Sequence, residues 1–275
     1  MIYEIFKLRE HYENIPGDYA VTLTVYCPDN SAEIEIERKR PCVIICPGGG
    51  YYFTSDREAE PIALRFVSMG YNAFVLRYGV MTSKYPEALI EAASAVAFIR
   101  SNAKRFNADS NKIAICGFSA GGHLAASLGV FWQESFITQT LGIEAESCRP
   151  NALILSYPVI SSGQFSHEDS FNNLIGGDKS ELFEKMSLEN QVTPNVPPTF
   201  LWHTFEDETV PVENSLLFAH ALRKNNIPFE MHIYPKGCHG LSLCDNETSA
   251  NDKFINSHCQ SWLPLCNEWL KLVFN

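Results

Sequence analysis

Short apolar runs, separated by segments with helical spacing, constrain this chain more than any other feature. "CVIICP" (42–47), "YNAFVLRY" (71–78), "KIAICGF" (112–118), "NALILSYPVI" (151–160) and "PPTFLWHTF" (197–205) are apolar almost throughout. A strand reads this way when both of its faces are covered, as in a parallel sheet. Between and after them lie helix patterns at 58–70, stopped by Gly70, at 86–106, opening on Pro86, and at 119–131 and 212–226. "PFEMHIYPK" (228–236) predicts a further strand, and 255–274 a last helix that Pro264 is expected to kink. "DYAVTLTVYCP" (18–28) alternates instead, which predicts an antiparallel strand with one wet face. The sum is an α/β fold, a mostly parallel central sheet with helices on both faces, read as a single domain over 1–275. The stretch 161–196 breaks the rhythm. It is polar and turn-rich, and is expected to form a short cap-like insertion over the C-terminal edge of the sheet, where such folds bind ligands.

Charge and cysteine usage narrow the function classes. The net charge is −11, which argues against a nucleic-acid or acidic-membrane binder, because phosphate contacts need clustered Lys and Arg. The short basic cluster "ERKRP" (37–41) reads as a solvated turn. The nine cysteines show no CxxC pair, which predicts buried free thiols in a reducing compartment, with Cys148 and Cys238 the more exposed. The opening "MIYEIFKLREHYEN" carries early charges and no long apolar run, so no secretory signal is expected. No apolar stretch reaches the ~18 residues of a membrane-spanning helix, and the expected location is cytoplasmic.

The chemistry concentrates in four places. Gly117-Phe118-Ser119-Ala120-Gly121 fits G-x-S-x-G, follows a predicted strand and opens a predicted helix. That context exposes a serine hydroxyl on a sharp turn and makes Ser119 a candidate nucleophile. "CPGGGYYF" (46–53) follows another buried strand. Its glycines let backbone N–H groups approach a ligand, and Gly49 and Gly50, with the N–H of Ala120, are candidates for an oxyanion hole. A phosphate loop is the competing reading, but the downstream Gly-Lys-Ser/Thr is missing. A serine also needs a base and a carboxylate to orient it, in the chain order Ser, Asp or Glu, His. "HTFEDETVPVENS" (203–215) offers Glu206, Asp207 and Glu208, and "YPKGCHGLSL" (234–243) offers His239 in a Gly-flanked loop. Both follow predicted strands, so both are expected at the same sheet edge as Ser119. Of the other histidines, His123 is expected to shape the turn behind Ser119 and His203 to pack at a strand end. His220, His232 and His258 fall in predicted helices or strands, and His11 and His167 in exposed segments. None has trusted metal-ligand spacing, so neither metal nor other cofactor is expected.

From about Pro41 onward the chain resembles the α/β-hydrolase superfamily, and within it the small acetyl-esterase branch of carbohydrate and xylan acetylesterases, close to the BD-FAE and hormone-sensitive-lipase-like groups. The resemblance rests on "PGGGYYF", "GFSAGGHLAAS", "SLENQVTPNVPPTFLWHTFEDETVPVENSLLFAHALRKNNIPFE" and "YPKGCHGLSL". It implies Ser119 as nucleophile, His239 as base and, before Val210-Pro211, Asp207 rather than its Glu neighbours as the carboxylate. The implied activity is hydrolysis of short acyl esters, with an acetylated sugar as the small-molecule partner. A prolyl-oligopeptidase-like peptidase is the alternative, and a homo-oligomer stays open. One departure stands out: related esterases carry His at the head of the glycine loop, where this chain has Pro47.

Overall fold

The computed structural model describes residues 1–177 and 180–275. Its centre is an eight-stranded sheet in the order β1-β2-β4-β3-β5-β6-β7-β8. The strands are β1 (Ile2–Lys7), β2 (Thr22–Cys27), β3 (Arg40–Cys46), β4 (Asn72–Arg77), β5 (Ala108–Phe118), β6 (Ala152–Ser156), β7 (Thr199–Thr204) and β8 (Phe229–Tyr234). β1 and β2 pair antiparallel, β2 joins β4 antiparallel, and every other pairing is parallel. The alternating segment is thus the antiparallel one: Leu23 and Val25 are buried while Thr22 and Thr24 are half-exposed. β1, which the sequence patterns did not single out, forms the edge and exposes every second residue.

The apolar runs feed two cores. Ile44, Ile113, Ile115, Leu153, Leu155 and Leu201 face one core. It also takes up residues of α2 (Glu87–Ser101), α3 (Ala120–Phe131) and α4 (Ser135–Leu141), with Cys148 of α5 (Ala145–Cys148). Their sequence neighbours Val43, Ile45, Ala114, Cys116 and Ile154 face the other, under α1 (Glu60–Ser68) and the C-terminal helix. Each fully buried Val, Ile or Leu contributes about 1.5–3 kcal/mol relative to exposure, so strands covered on both faces gain from being apolar at every position.

The stretch 161–196 contains α6 (Glu168–Ile175), α7 (Ser180–Lys185) and a 3-10 turn at Leu188–Asn190; its residues 178 and 179 lie outside the described residues. It leaves the end of β6 and returns to β7. α6 docks on the glycine-rich loop, where the Asn173 Nδ2 donates to the Gly50 carbonyl at 2.9 Å. The chain continues through α8 (Glu213–Lys224) and ends in α9 (Trp262–Phe274).

Two features of the fold differ from what the sequence predicts. Pro264 does not kink the last helix. The helix begins only at Trp262, so the proline sits in its first turn, where no backbone N–H is required. Cys148 is buried rather than exposed, because its thiol turns inward to the Ala145 and Trp132 carbonyls. All nine cysteines are free, and only Cys238 is partly exposed. Among the described residues no helix is long and apolar enough to cross a membrane.

Candidate active site

The loops that follow β3, β5, β7 and β8 meet at the C-terminal edge of the parallel strands. Ser119 stands alone between β5 and α3, at φ 53° and ψ −118°. Such a backbone costs a non-glycine residue about 1–3 kcal/mol and needs neighbours that enforce it. Three bonds do so: the Ser119 N–H donates to the Ser156 carbonyl, and the Val159 and His123 N–H groups donate to the Ser119 carbonyl, all at 3.0–3.1 Å. The flanking glycines are dictated by contact. A Cβ on Gly121 would lie 2.1 Å from the Cys46 carbonyl oxygen, and one on Gly117 would lie 2.0 Å from the Gly121 carbonyl oxygen.

His239, in the loop after β8, places its Nε2 at 2.8 Å from the Ser119 hydroxyl and its Nδ1 at 2.6 Å from Asp207 Oδ2. A carboxylate oxygen only accepts, so Nδ1 carries the proton and Nε2 is left to accept from the serine. Of the three acidic residues after β7, Asp207 is buried while Glu206 and Glu208 point to solvent. Burial by itself would raise the Asp207 pKa. The hydrogen bonds from His203 and His239, the electrostatic attraction of the His239 ring and the Val210 N–H outweigh it and hold the carboxyl well below its ordinary value. Its Oδ1 accepts from the Thr209 and Val210 N–H groups at 3.0 and 2.9 Å.

His203 does more than pack at its strand end. Its Nε2 lies 2.9 Å from the Val210 carbonyl and 3.3 Å from Asp207 Oδ2, so that nitrogen carries the proton, while Nδ1 accepts from the Ser215 hydroxyl at 2.8 Å. Asp207 is therefore gripped from two imidazoles. The spacing of His203 and Asp207, four residues apart across a strand end, was visible in the sequence, but the shared carboxylate was not. His123 is fully buried with Nε2 at 3.0 Å from the Met186 carbonyl and Nδ1 at 2.9 Å from the Tyr51 hydroxyl. Burial pushes its pKa down to about 4, against the Met186 bond. It stays neutral and ties α3 to the glycine-rich loop, which agrees with a shaping role rather than that of a base.

Gly49 and Gly50 both have positive φ, 131° and 63°. Gly49 could not be replaced: a Cβ there would fall 2.1 Å from the Phe53 carbonyl oxygen. The Gly49 carbonyl accepts from the Tyr52 and Phe53 N–H groups, which closes the turn. Among the described residues, the Gly49, Gly50 and Ala120 N–H groups have no protein acceptor. The loop keeps this form with Pro47 at its head, whose carbonyl accepts from the Tyr78 hydroxyl at 2.6 Å.

These groups open onto a cleft of about 600 Å³ whose lining includes Gly49, Gly50, Ser119 and His239. Tyr52, Phe53 and Phe254 give it aromatic walls, and His167, Asp169 and Asn173 bring polar groups from the 161–196 stretch. His167 was expected in an exposed segment. It is half-buried instead, since its Nδ1 caps α6 by accepting from the Ser170 N–H, and this turns the ring into the cleft. Burial, and then the nearby His239, lower its pKa.

Comparison with known proteins gives the site a lineage. The BD-FAE family model matches residues 23–222. Over 223 residues the chain is 44% identical to endo-1,4-beta-xylanase B of Butyrivibrio fibrisolvens, covering 79% of this chain and 34% of that protein. It is 27% identical over 237 residues to the acetylxylan esterase of Xylanibacter ruminicola, covering 84% of this chain and 45% of that protein. The chain thus spans about a third to a half of the length of these curated relatives. The crystal structure of an acetyl ester-xyloside bifunctional hydrolase from Caldicellulosiruptor lactoaceticus aligns with a TM-score of 0.85 at 38% identity, over 98% of this chain and 96% of that one. With matches of this extent joined to a mostly parallel sheet and a serine on its strand-to-helix turn, the chain belongs to the BD-FAE family of the α/β-hydrolase superfamily.

Proposed function

We propose that the protein is a serine carboxylesterase that removes short acyl groups, acetyl above all, from a sugar or similar small alcohol. The observation that carries this reading is the continuous relay from the Ser119 hydroxyl to His239 at 2.8 Å and on to Asp207 at 2.6 Å, beside three backbone N–H groups that find no acceptor among the described residues. In this reading Ser119 attacks the ester carbonyl as His239 Nε2 takes its proton. Asp207 holds the ring and stabilises the imidazolium. The Gly49, Gly50 and Ala120 N–H groups bind the oxyanion, and removing one such donor typically costs about 3–4 kcal/mol of barrier. His239 returns the proton to the departing alcohol, and water, activated by the same nitrogen, then cleaves the acyl-serine. The preference for a sugar is supported by the polar and aromatic cleft walls and by the names of the acetylxylan esterase and acetyl ester-xyloside hydrolase relatives. The 161–196 stretch acts as a cap that shapes the alcohol side.

The test is a panel of p-nitrophenyl esters from acetyl to octanoyl, run beside acetylated xylo-oligosaccharides and aminoacyl-p-nitroanilides. Turnover should be highest for acetyl and absent for the anilides. Ser119→Ala should fold normally and lose kcat by on the order of 10⁶-fold. A folded Ser119→Ala protein with wild-type turnover, or an anilide hydrolysed faster than the acetyl ester, would overturn the assignment.

A further inference from the structure

Glu58 is a buried carboxylate that the proposed mechanism does not use. It is 4% exposed, sits at the end of a 3-10 turn (Asp56–Glu58), and contributes to the cleft wall beside Ser119. Among the described residues it has no cationic partner within ion-pair distance. A buried carboxyl group without a cation is a costly way to fill space, and an apolar side chain would do that better. What it has instead are two donors. The Gly48 N–H donates to Oε2 at 2.9 Å and the Tyr157 hydroxyl donates to Oε1 at 2.6 Å. The Tyr157 oxygen accepts in turn from the Ser242 N–H at 2.9 Å.

Each end of this chain of bonds reaches a moving part of the reaction. Gly48 immediately precedes the two glycines assigned to the oxyanion, and a Cβ on it would lie 3.0 Å from the Ser119 Cβ. Its carbonyl is also held, by the Ser55 N–H at 2.9 Å. The peptide planes on either side of its Cα are therefore both held, one by Glu58 through the N–H and one by Ser55 through the carbonyl, and the second plane carries the Gly49 N–H. Ser242 lies in the loop of His239, and the Tyr157 ring stands edge-on to the His239 ring, 5.0 Å between centroids. Tyr157 itself sits at a positive φ of 37°, a strained conformation that these contacts hold.

We infer that Glu58 is a positioning residue, which through Gly48 aims the oxyanion donors and through Tyr157 and Ser242 sets the loop of the catalytic imidazole. This rests on the triad and oxyanion assignments proposed above. A glutamine keeps an acceptor for only one of the two donors: its amide nitrogen either opposes the Gly48 N–H or makes the Tyr157 hydroxyl turn its hydrogen away, and both break the chain of bonds. Displacing reacting groups by about 1 Å costs roughly 10²-fold in rate. Glu58→Gln should therefore lower kcat on p-nitrophenyl acetate by about 10–100-fold with KM nearly unchanged, and slow fluorophosphonate labelling of Ser119 in parallel. Tyr157→Phe should lower kcat less. The double variant should lose less than the product of the two single losses, since both act through one network.

Ser119→Ala is assayed alongside. If it keeps wild-type turnover, the active-site assignment fails. If it is inactive while a folded Glu58→Gln protein keeps wild-type kcat, or loses only KM, the positioning role alone is overturned. Should Glu58→Gln not fold, Tyr157→Phe decides: a lower kcat at unchanged KM supports the role, and an unchanged kcat removes it.

Discussion

Asp207 shows how much a single position depends on its surroundings. Three acidic residues stand in a row after β7, equal in charge and nearly equal in reach, yet only the middle one is buried and bonded. Asp207→Asn would keep an oxygen for the Thr209 and Val210 N–H groups. It would also turn an amide donor toward His239, favouring the tautomer with Nε2 protonated, which cannot accept the Ser119 proton. The expected result is a kcat lower by about 10⁴-fold in a folded protein, whereas Glu206→Gln and Glu208→Gln leave kcat at the wild-type level. Steady-state kinetics on p-nitrophenyl acetate check this, and equal losses in all three variants would contradict it.

At the scale of elements, the site is an edge of the sheet rather than a set of loops. β5 delivers Ser119, β7 Asp207, β8 His239 and β3 the glycine-rich loop, and β3 pairs with β5 while β6 bridges β5 to β7. α3 must then pass very close to β3, and Gly121 makes that approach possible. Gly121→Ala forces its methyl against the Cys46 and Pro47 carbonyls, which belong to backbone and cannot swing aside. The expected cost is about 3 kcal/mol in urea unfolding, near the upper end of the usual overpacking range. A loss of activity should accompany it, because the loop after β3 and the start of α3 carry the proposed oxyanion donors. A variant with unchanged midpoint and unchanged kcat would show that the two elements do not meet this closely.

For the whole molecule, two buried groups outside the proposed triad set opposing pH dependences. Glu91, fully buried in α2, is pushed up to about 7, mainly by burial and despite the Gly79 N–H and Arg9. The folded state holds that proton where the unfolded chain has released it, so stability falls as pH rises from about 4.5 to about 7. His123 is pushed down to about 4. Here the unfolded chain takes up the proton first, so stability falls as pH drops from about 6.5 to about 4. Each contribution is worth about 3 kcal/mol at 1.36 kcal/mol per pH unit, and they nearly cancel between pH 4.5 and 6.5. Glu91→Gln removes one of them. Urea unfolding of the variant should then show stability rising more steeply over that range than in the wild type, by up to about 3 kcal/mol. Parallel profiles would show that Glu91 is ionised in the folded protein.

The sheet was legible because its signal is local. A run such as "CVIICP" has to be covered on both faces whatever its partners are, and the alternation in 22–27 demands one wet face. Ser119, His239 and the acidic cluster were legible because each sits just past a strand, and parallel strands bring their C-terminal ends to one edge. β1 was not singled out, because an exposed edge strand carries a weak pattern. The choice among the three acids could not be read from the residues themselves, only from resemblance, because burial depends on how β7 lies against β8. Glu58 left no trace at all. Its meaning lies in two donors, one 10 and one 99 positions away in the chain, and only folding brings a backbone amide and a phenol to the same carboxylate.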